Sequence, residues 1–148
     1  MRTMALLCIS AVSLAALPAL ADDIKPKPVV VKSIVVDGQA VAPGGAIGHI
    51  IGLKKGGDGF VSVRAAPTTK AAELDRLKQD AFVIVVVGGT DWDKATFIPV
   101  IYDPNDAPGK PTMEVCKIPE SPPYFEGTYK GPCKSGWVSK RFLEVIAD

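Results

Sequence analysis

The sequence predicts a mainly β protein, folded as a small barrel or sandwich. Its apolar runs are short, it shows no long amphipathic helical pattern, and its 148 residues include 14 glycines and 13 prolines that divide the chain into brief segments. The breaker Pro-Gly-Gly at positions 43–45 marks the start of a predicted domain, residues 44–148. The expected strands cover residues 29–36, 47–53, 60–64, 81–87 and 97–102, and a closing strand with a short final turn covers 136–145.

Two of these segments are justified by their alternation. In Phe60–Arg64 the period of two places Val61 and Val63 on one face and the remaining side chains on the other. Phe97–Tyr102 is apolar and rich in β-branched and aromatic residues. Pro99 within it favours an edge position because proline cannot donate a ladder hydrogen bond.

The segment Glu73–Lys78 is ambiguous by propensity. Its glutamate, leucines, arginine and lysine favour helix, yet the surrounding run 69–79 is short and has no wide apolar stripe. We predict a short strand or turn here, and a single helical turn is the alternative.

The run 81–87 (AFVIVVV) is apolar throughout rather than alternating, so both of its faces should be covered. Three valines, at 83, 85 and 87, are expected to fill the interior. Phe82, Ile84 and Val86 then need a second cover. We predict that either the later segment 103–134 or the strand 29–36 provides it.

Residues 1–21 have the pattern of a secretory signal peptide. Arg2 is followed by an apolar stretch over 4–17 and by a small-x-small cleavage site at 19–21. The alternatives are a membrane anchor, for which the run is too short and interrupted by Pro18, and a lipoprotein acylated at Cys8, which lies too early. The expected mature chain begins near Asp22, with a proline-punctuated tether and a possible extra strand in 22–43, and is periplasmic or secreted without a membrane span.

Charge excludes one class of partner. The chain has 17 basic and 16 acidic residues, and removal of Arg2 with the signal leaves 16 of each. A balanced, scattered charge gives no electrostatic drive toward nucleic acid, so we expect no nucleic-acid partner.

Two cysteines remain in the expected mature chain, Cys116 and Cys133. In an oxidising compartment, an even pair in a loop-rich region is most simply a disulfide. It would cross-link residues 103–134, a stretch rich in Pro, Gly and Asp that we interpret as one long insertion before the last strand.

Several short motifs together resemble the bacterial SH3 domain family. The stretch Val63-Arg64-Ala65-Ala66-Pro67 follows GLKKGGDGF (52–60), Leu77-Lys78-Gln79-Asp80 precedes the valine-rich strand, and Trp92 follows it. The closing match is Gly136, Trp137, Val138, Ser139, Phe142 and Leu143. The resemblance implies a small SH3-like β-barrel, here with an inserted loop, over roughly residues 48–143.

The same resemblance implies a binding function. Bacterial SH3 domains commonly accompany cell-wall hydrolases, so the expected role is an exported, non-catalytic module that recognises cell-wall (peptidoglycan) peptides. The alternative is a periplasmic protein-partner module, an inhibitor or accessory subunit, that uses the 103–134 loop.

No catalytic or metal-binding pattern is evident. His49 is the only histidine, and no nucleophile motif accompanies it, so we expect a structural role rather than acid–base catalysis. Neither a zinc set, a phosphate loop nor a calcium loop is present, and no cofactor or metal is expected.

Aromatic side chains are the candidate ligand-binding residues, because they offer rigid amphipathic surfaces to peptides. Packing is the competing interpretation for both tryptophans and is slightly favoured for Trp137. Tyr124 and Tyr129, in the insertion, are expected to be exposed and available. The candidates are Trp92, Tyr102, Tyr124, Phe125, Tyr129 and Trp137.

Overall fold

The computed structural model describes residues 24–32, 34–41, 46–105, 112–119 and 125–147. The signal-peptide prediction, with Cys8 and the start near Asp22, lies outside these residues, as does Tyr124. The strands are β1 (Val30–Val31), β2 (Ile34–Val36), β3 (Gln39–Val41), β4 (Ala46–Ile50), β5 (Phe60–Arg64), β6 (Glu73–Lys78), β7 (Phe82–Val85), β8 (Phe97–Tyr102), β9 (Gly127–Thr128), β10 (Lys134–Ser139) and β11 (Leu143–Ala147). One α-helical turn, α1 (Thr112–Val115), and a 3₁₀ turn (Lys140–Phe142) complete the described elements.

Seven antiparallel strands form the main sheet in the order β11-β4-β7-β8-β10-β5-β6. The mainly β prediction is confirmed, but the sheet is not a closed barrel, because β11 and β6 remain separate edges. The sheet instead curls around one core to which β4, β5, β6, β7, β8, β10 and β11 all contribute buried side chains. The edge strand β6 carries the exposed charges Glu73, Arg76 and Lys78, a composition that discourages further strand pairing.

Two segments form strands as predicted: the ambiguous one, Glu73–Lys78, and the alternating one, Phe60–Arg64. Glu73–Lys78 is β6 and pairs along β5, so tertiary pairing overrides its helical propensity. In β5, Val61 and Val63 are buried and their neighbours are only half-buried, which confirms the period of two.

The apolar strand β7 separates two hydrophobic clusters. Val83 and Val85 belong to the main core, whereas Ile84 and Val86 belong to a second cluster on the opposite face of the sheet. That second cluster also contains Val31 of β1, the preceding Val29, and three residues in or after α1, Met113, Cys116 and Ile118. The predicted cover is confirmed, and both proposed segments supply it; Phe82 differs from the expectation and is 49% exposed.

Pro99 is not at an edge, because β8 lies between β7 and β10. The proline is tolerated because β7 ends at Val85, just before the position opposite Pro99. There the Pro99 carbonyl still accepts from the Val86 N–H at 3.0 Å. The sheet therefore lacks one backbone donor, that of Pro99, at the end of the β7–β8 ladder.

The N-terminal strand and the insertion are joined in space. The predicted strand 29–36 is divided in two: β1 pairs with β9 from the insertion, and β2 forms a hairpin with β3 across Asp37–Gly38. The predicted disulfide is present between Cys116 and Cys133. Thus the disulfide cross-links the insertion internally, and β9 joins the insertion to β1 in a separate two-stranded sheet.

The closing segment contains two strands rather than a strand and a turn. β10 crosses the centre of the sheet, the 3₁₀ turn follows, and β11 returns along β4. The insertion consequently lies between β8 and β10, before the penultimate strand. The described residues include no helix that is long and apolar enough to cross a membrane.

Candidate functional site

An open cleft of about 510 Å³ lies between the loop after β4 and the 3₁₀ turn. Its walls are Gly52, Leu53, Lys54, Gly57, Asp58, Gly59, Phe60, Arg141 and Phe142. Two phenylalanines and a leucine supply apolar surface, while one aspartate and two cations supply charge of both signs. Such a combination of apolar walls with a few polar groups is typical of a ligand site.

Local sequence explains the loop that forms one side of the cleft. Gly52, Gly56 and Gly59 all have positive φ, between 70° and 83°, so the chain reverses sharply after β4. The Gly57 N–H donates to the Lys54 carbonyl at 3.0 Å, which closes a turn within the loop.

Backbone and side-chain hydrogen bonds attach this loop to the rest of the fold. The Ile51 N–H donates to the Phe142 carbonyl at 3.0 Å. The Leu53 N–H donates to the Gln79 side-chain oxygen at 3.1 Å. The backbone on one side of the cleft is therefore bonded directly to the backbone on the other.

Guanidinium groups lie against the aromatic walls. The Arg141 guanidinium is 4.3 Å from the centre of the Phe142 ring, and that of Arg76 is 4.1 Å from the centre of the Phe60 ring. Stacking holds Arg141 near the aromatic surface without removing its capacity to bind a carboxylate, whereas Arg76 already donates to the Glu73 carboxylate at 2.6 Å. The cleft can thus accept an apolar group beside an anionic one.

The five predicted aromatic residues that the structure describes do not form one groove. Trp137 is buried, and its indole N–H donates to the Lys27 carbonyl at 2.8 Å. Trp92 is half-buried against the main core, with the Lys140 ammonium 5.1 Å from its ring centre. Each tryptophan is therefore in contact with a lysine of its own chain.

Tyr102 lies on the inner face of the sheet. It is 1% exposed, and its hydroxyl makes a long hydrogen bond of 3.4 Å to Asp75. Burial, with the charge of Asp75, raises the pKa of the Tyr102 phenol well above its ordinary value. A neutral, buried phenol of this kind stabilises the sheet rather than presenting itself to a ligand.

The two aromatic residues of the insertion that the structure describes pack on the second cluster. Phe125 and Tyr129 meet edge to face with ring centres 6.4 Å apart, and both pack against the cluster that covers β7. Tyr129 is half-buried rather than exposed. Burial raises the pKa of its phenol, and the hydrogen bond from Cys133 opposes that rise.

His49 lies on the outer face of β4. Its Nε2 is 2.8 Å from a carboxylate oxygen of Glu144, and its ring meets Phe82 edge to face at 6.3 Å. The three residues form one row across β11, β4 and β7. No cluster of three or more potential metal ligands occurs in the part of the chain that the structure describes.

The sequence did not single out Leu53, Phe60, Arg141 or Phe142 as site residues. Phe60 is the last residue of GLKKGGDGF, and Arg141 directly precedes Phe142 of the closing motif, so all three lie within the segments that carry the family resemblance. The turn GLKKGGDGF, which follows β4, was the available signal for this site. Its glycines and charges mark an exposed loop beside an aromatic residue.

Comparison with protein-family models, with curated proteins and with solved structures finds no match to this chain.

Proposed function

We propose that this chain is an exported, non-catalytic binding module of the bacterial SH3 type that recognises cell-wall peptides in the cleft beside Phe60 and Phe142. The observation that carries the proposal is the cleft itself, which places aromatic walls, two cations and one carboxylate within a single open space.

The relation between the two resemblance motifs supports the family interpretation. Trp137, in the closing motif, lies opposite Arg64, in the opening motif, where β10 pairs with β5. Phe60, the last residue of GLKKGGDGF, lines the same cleft as Arg141 and Phe142 near the end of the closing motif. Residues about 80 positions apart in the chain thus build one surface, as a shared ligand site requires.

The chemistry of a cell-wall peptide suits this surface. Such peptides are short and carry carboxylates, amino groups and small apolar side chains. Arg141 and Lys54 are placed to bind a carboxylate, Asp58 an amino group, and the phenylalanine rings the methyl groups. The disulfide between Cys116 and Cys133 supports an oxidising compartment.

The alternative, a protein-partner module that uses residues 103–134, has less support. In the described part of that segment, Met113, Cys116 and Ile118 face the second cluster and are buried. Its exposed side chains include Lys117 and Lys130. The buried side chains of this segment therefore act mainly as a cover for β7.

Retention on purified peptidoglycan tests the proposal. The wild-type chain should be retained, and Arg141→Glu combined with Lys54→Glu should weaken retention by about tenfold or more, because a carboxylate loses its partners. Lys117→Glu is the control, since it makes the same type of charge change on the insertion. No retention of the wild-type chain would refute the function, and loss through Lys117→Glu alone would assign the site to the insertion.

A further inference from the structure

A short N-terminal arm, residues 24–28 (Ile-Lys-Pro-Lys-Pro), lies over Trp137. The Trp137 indole N–H donates to the Lys27 carbonyl at 2.8 Å. The Lys27 N–H in turn donates to the Ala65 carbonyl at 2.8 Å, and the Lys27 ammonium lies 5.1 Å from the centre of the indole ring. One arm residue thus makes two hydrogen bonds and a cation–π contact with this surface.

The arm is held more weakly than the strand that follows it. Residues 25–28 are all exposed, and Pro26 and Pro28 have no N–H to donate to the sheet. Immediately afterwards Val29 and Val31 are each only 2% exposed, in the second cluster. The arm can therefore leave while β1 stays anchored, because few contacts oppose a local opening.

Release of the arm would uncover a specific set of groups. Trp137, which is 7% exposed with the arm in place, would present its ring and an unpartnered indole N–H. The Ala65 carbonyl would lose its donor. An aromatic face flanked by the Ala65 carbonyl and the indole N–H is a suitable receptor for an extended peptide. A lysine of that peptide would add a cation–π contact with the ring.

We propose that the surface formed by Trp137 and Ala65 is a peptide-binding site that the chain's own arm fills in this structure. Its external ligand is an extended, proline-containing segment of a partner protein that places a lysine on the indole. The arm is then an intramolecular competitor, and the partner binds to the fraction of molecules in which the arm is open.

This surface is distinct from the cleft of the proposed function. Phe60, which lines the cleft, is the first residue of β5, whereas Ala65 follows the last one. Five residue steps of extended chain separate Phe60 from Ala65, roughly 17 Å at ordinary strand spacing. The two sites can therefore be tested independently.

A fluorescein-labelled peptide with the sequence of residues 24–29 (IKPKPV) tests the proposal by fluorescence anisotropy. In the full chain, Lys27→Pro removes the amide donor and the ammonium of the arm while leaving Val29 and Val31 in place. We expect the peptide to bind this variant about tenfold more tightly than the wild-type chain, because the internal competitor is weakened. Lys25→Ala, at an exposed arm position, is the matched control and should behave as wild type.

Two further measurements identify the surface. Adding Trp137→Phe to Lys27→Pro keeps a ring but removes the indole N–H, and should weaken peptide binding by about fivefold. A peptide with glutamate in place of the second lysine should bind more weakly than IKPKPV. Equal affinity of IKPKPV for the wild-type and Lys27→Pro chains, or no binding to a folded Lys27→Pro chain, would overturn the proposal.

Hydrogen exchange on the wild-type chain provides a test that needs no variant. The Lys27 amide should exchange far faster than that of Val100 in the sheet, and a saturating excess of IKPKPV should accelerate it further. A Lys27 amide as protected as Val100, and unaffected by the peptide, would show that the arm does not open. Sedimentation of the wild-type chain as a dimer that the peptide dissociates would assign the surface to a second copy and overturn the partner proposal.

Discussion

The hydroxyl of Tyr129 donates a hydrogen bond to the backbone carbonyl of Cys116 at 2.8 Å. The same hydroxyl accepts from the Cys133 N–H at 3.1 Å. A single phenol is therefore bonded to both halves of the disulfide. It satisfies a donor and an acceptor of the backbone beside the buried Cys116.

Tyr129→Phe should consequently destabilise the protein. The substitution leaves the ring in place but leaves one carbonyl and one N–H without their partner, which costs about 1–3 kcal/mol in the free energy of unfolding. Urea denaturation measures the change, and Lys130→Ala at the exposed neighbouring position is the control. A Tyr129→Phe chain as stable as wild type would mean that water replaces the hydroxyl.

Two positions on the same face of β7 should respond differently to truncation. Ile84 is fully buried in the second cluster, whereas Phe82, two residues earlier on the same face, is 49% exposed. Ile84→Ala should lower the free energy of unfolding by about 2–5 kcal/mol. Phe82→Ala should have a clearly smaller effect.

Thermal or urea unfolding of both variants measures this difference. Equal losses at the two positions would contradict the cover described for β7. The comparison is internal to one strand, so differences in β propensity largely cancel.

Gly136 lies where β10 and β5 approach most closely. A Cβ at this position would be 2.5 Å from the Val63 side chain and 3.0 Å from the Arg64 carbonyl oxygen. Gly136→Ala should therefore cost about 1–3 kcal/mol, because one contact is with backbone that cannot rotate away. Ser135→Ala, at the preceding half-buried position, should change the stability by less than about 0.5 kcal/mol; a neutral Gly136→Ala would refute the close approach.

Acid stability should depend on Asp75. Lys134 donates a 2.9 Å hydrogen bond to its carboxylate, and this bond, opposed by partial burial, lowers the pKa of Asp75 below its ordinary value of 3.8. A depressed pKa adds stability that is present above the unfolded-state value and is lost as the pH falls through the folded-state value. The contribution should therefore disappear below about pH 4.

Asp75→Asn should flatten the decrease in unfolding free energy between roughly pH 5 and 2. Lys134→Gln removes the main cause of the shift and should flatten it in the same way. Unfolding curves at several pH values measure the slope. An unchanged slope in both variants would show that other carboxylates govern acid unfolding.

Local pattern was sufficient for several strands of the main sheet and for the disulfide. The alternation in Phe60–Arg64 and the continuous apolar character of 81–87 both follow from residues adjacent in the chain, and the structure confirms both. The pairing of Cys116 with Cys133 required only that no other cysteine remained. In each case the deciding information lay within one segment of the sequence or in the number of cysteines.

Position within the sheet could not be derived in the same way. Pro99 suggested an edge strand, yet β8 is central, because the end of β7 removes the need for the missing donor. Tyr129 lies in a polar, proline-rich segment, yet it packs on a cluster that includes residues in or next to β1, β7, β8 and α1. Both outcomes depend on where a distant strand happens to end or pack.

The sequence by itself determined that this is a mainly β chain of short strands, with one cross-link and one strand covered on both faces. Periodicity, turn residues and cysteine number are properties of neighbouring residues, so they can be recognised without a structure. Only the tertiary structure decided that the sheet stays open, that a cleft forms beside Phe60 and Arg141, and that Lys27 lies on Trp137. Those features join residues up to 110 positions apart, and such contacts depend on the packing of the whole chain rather than on any local pattern.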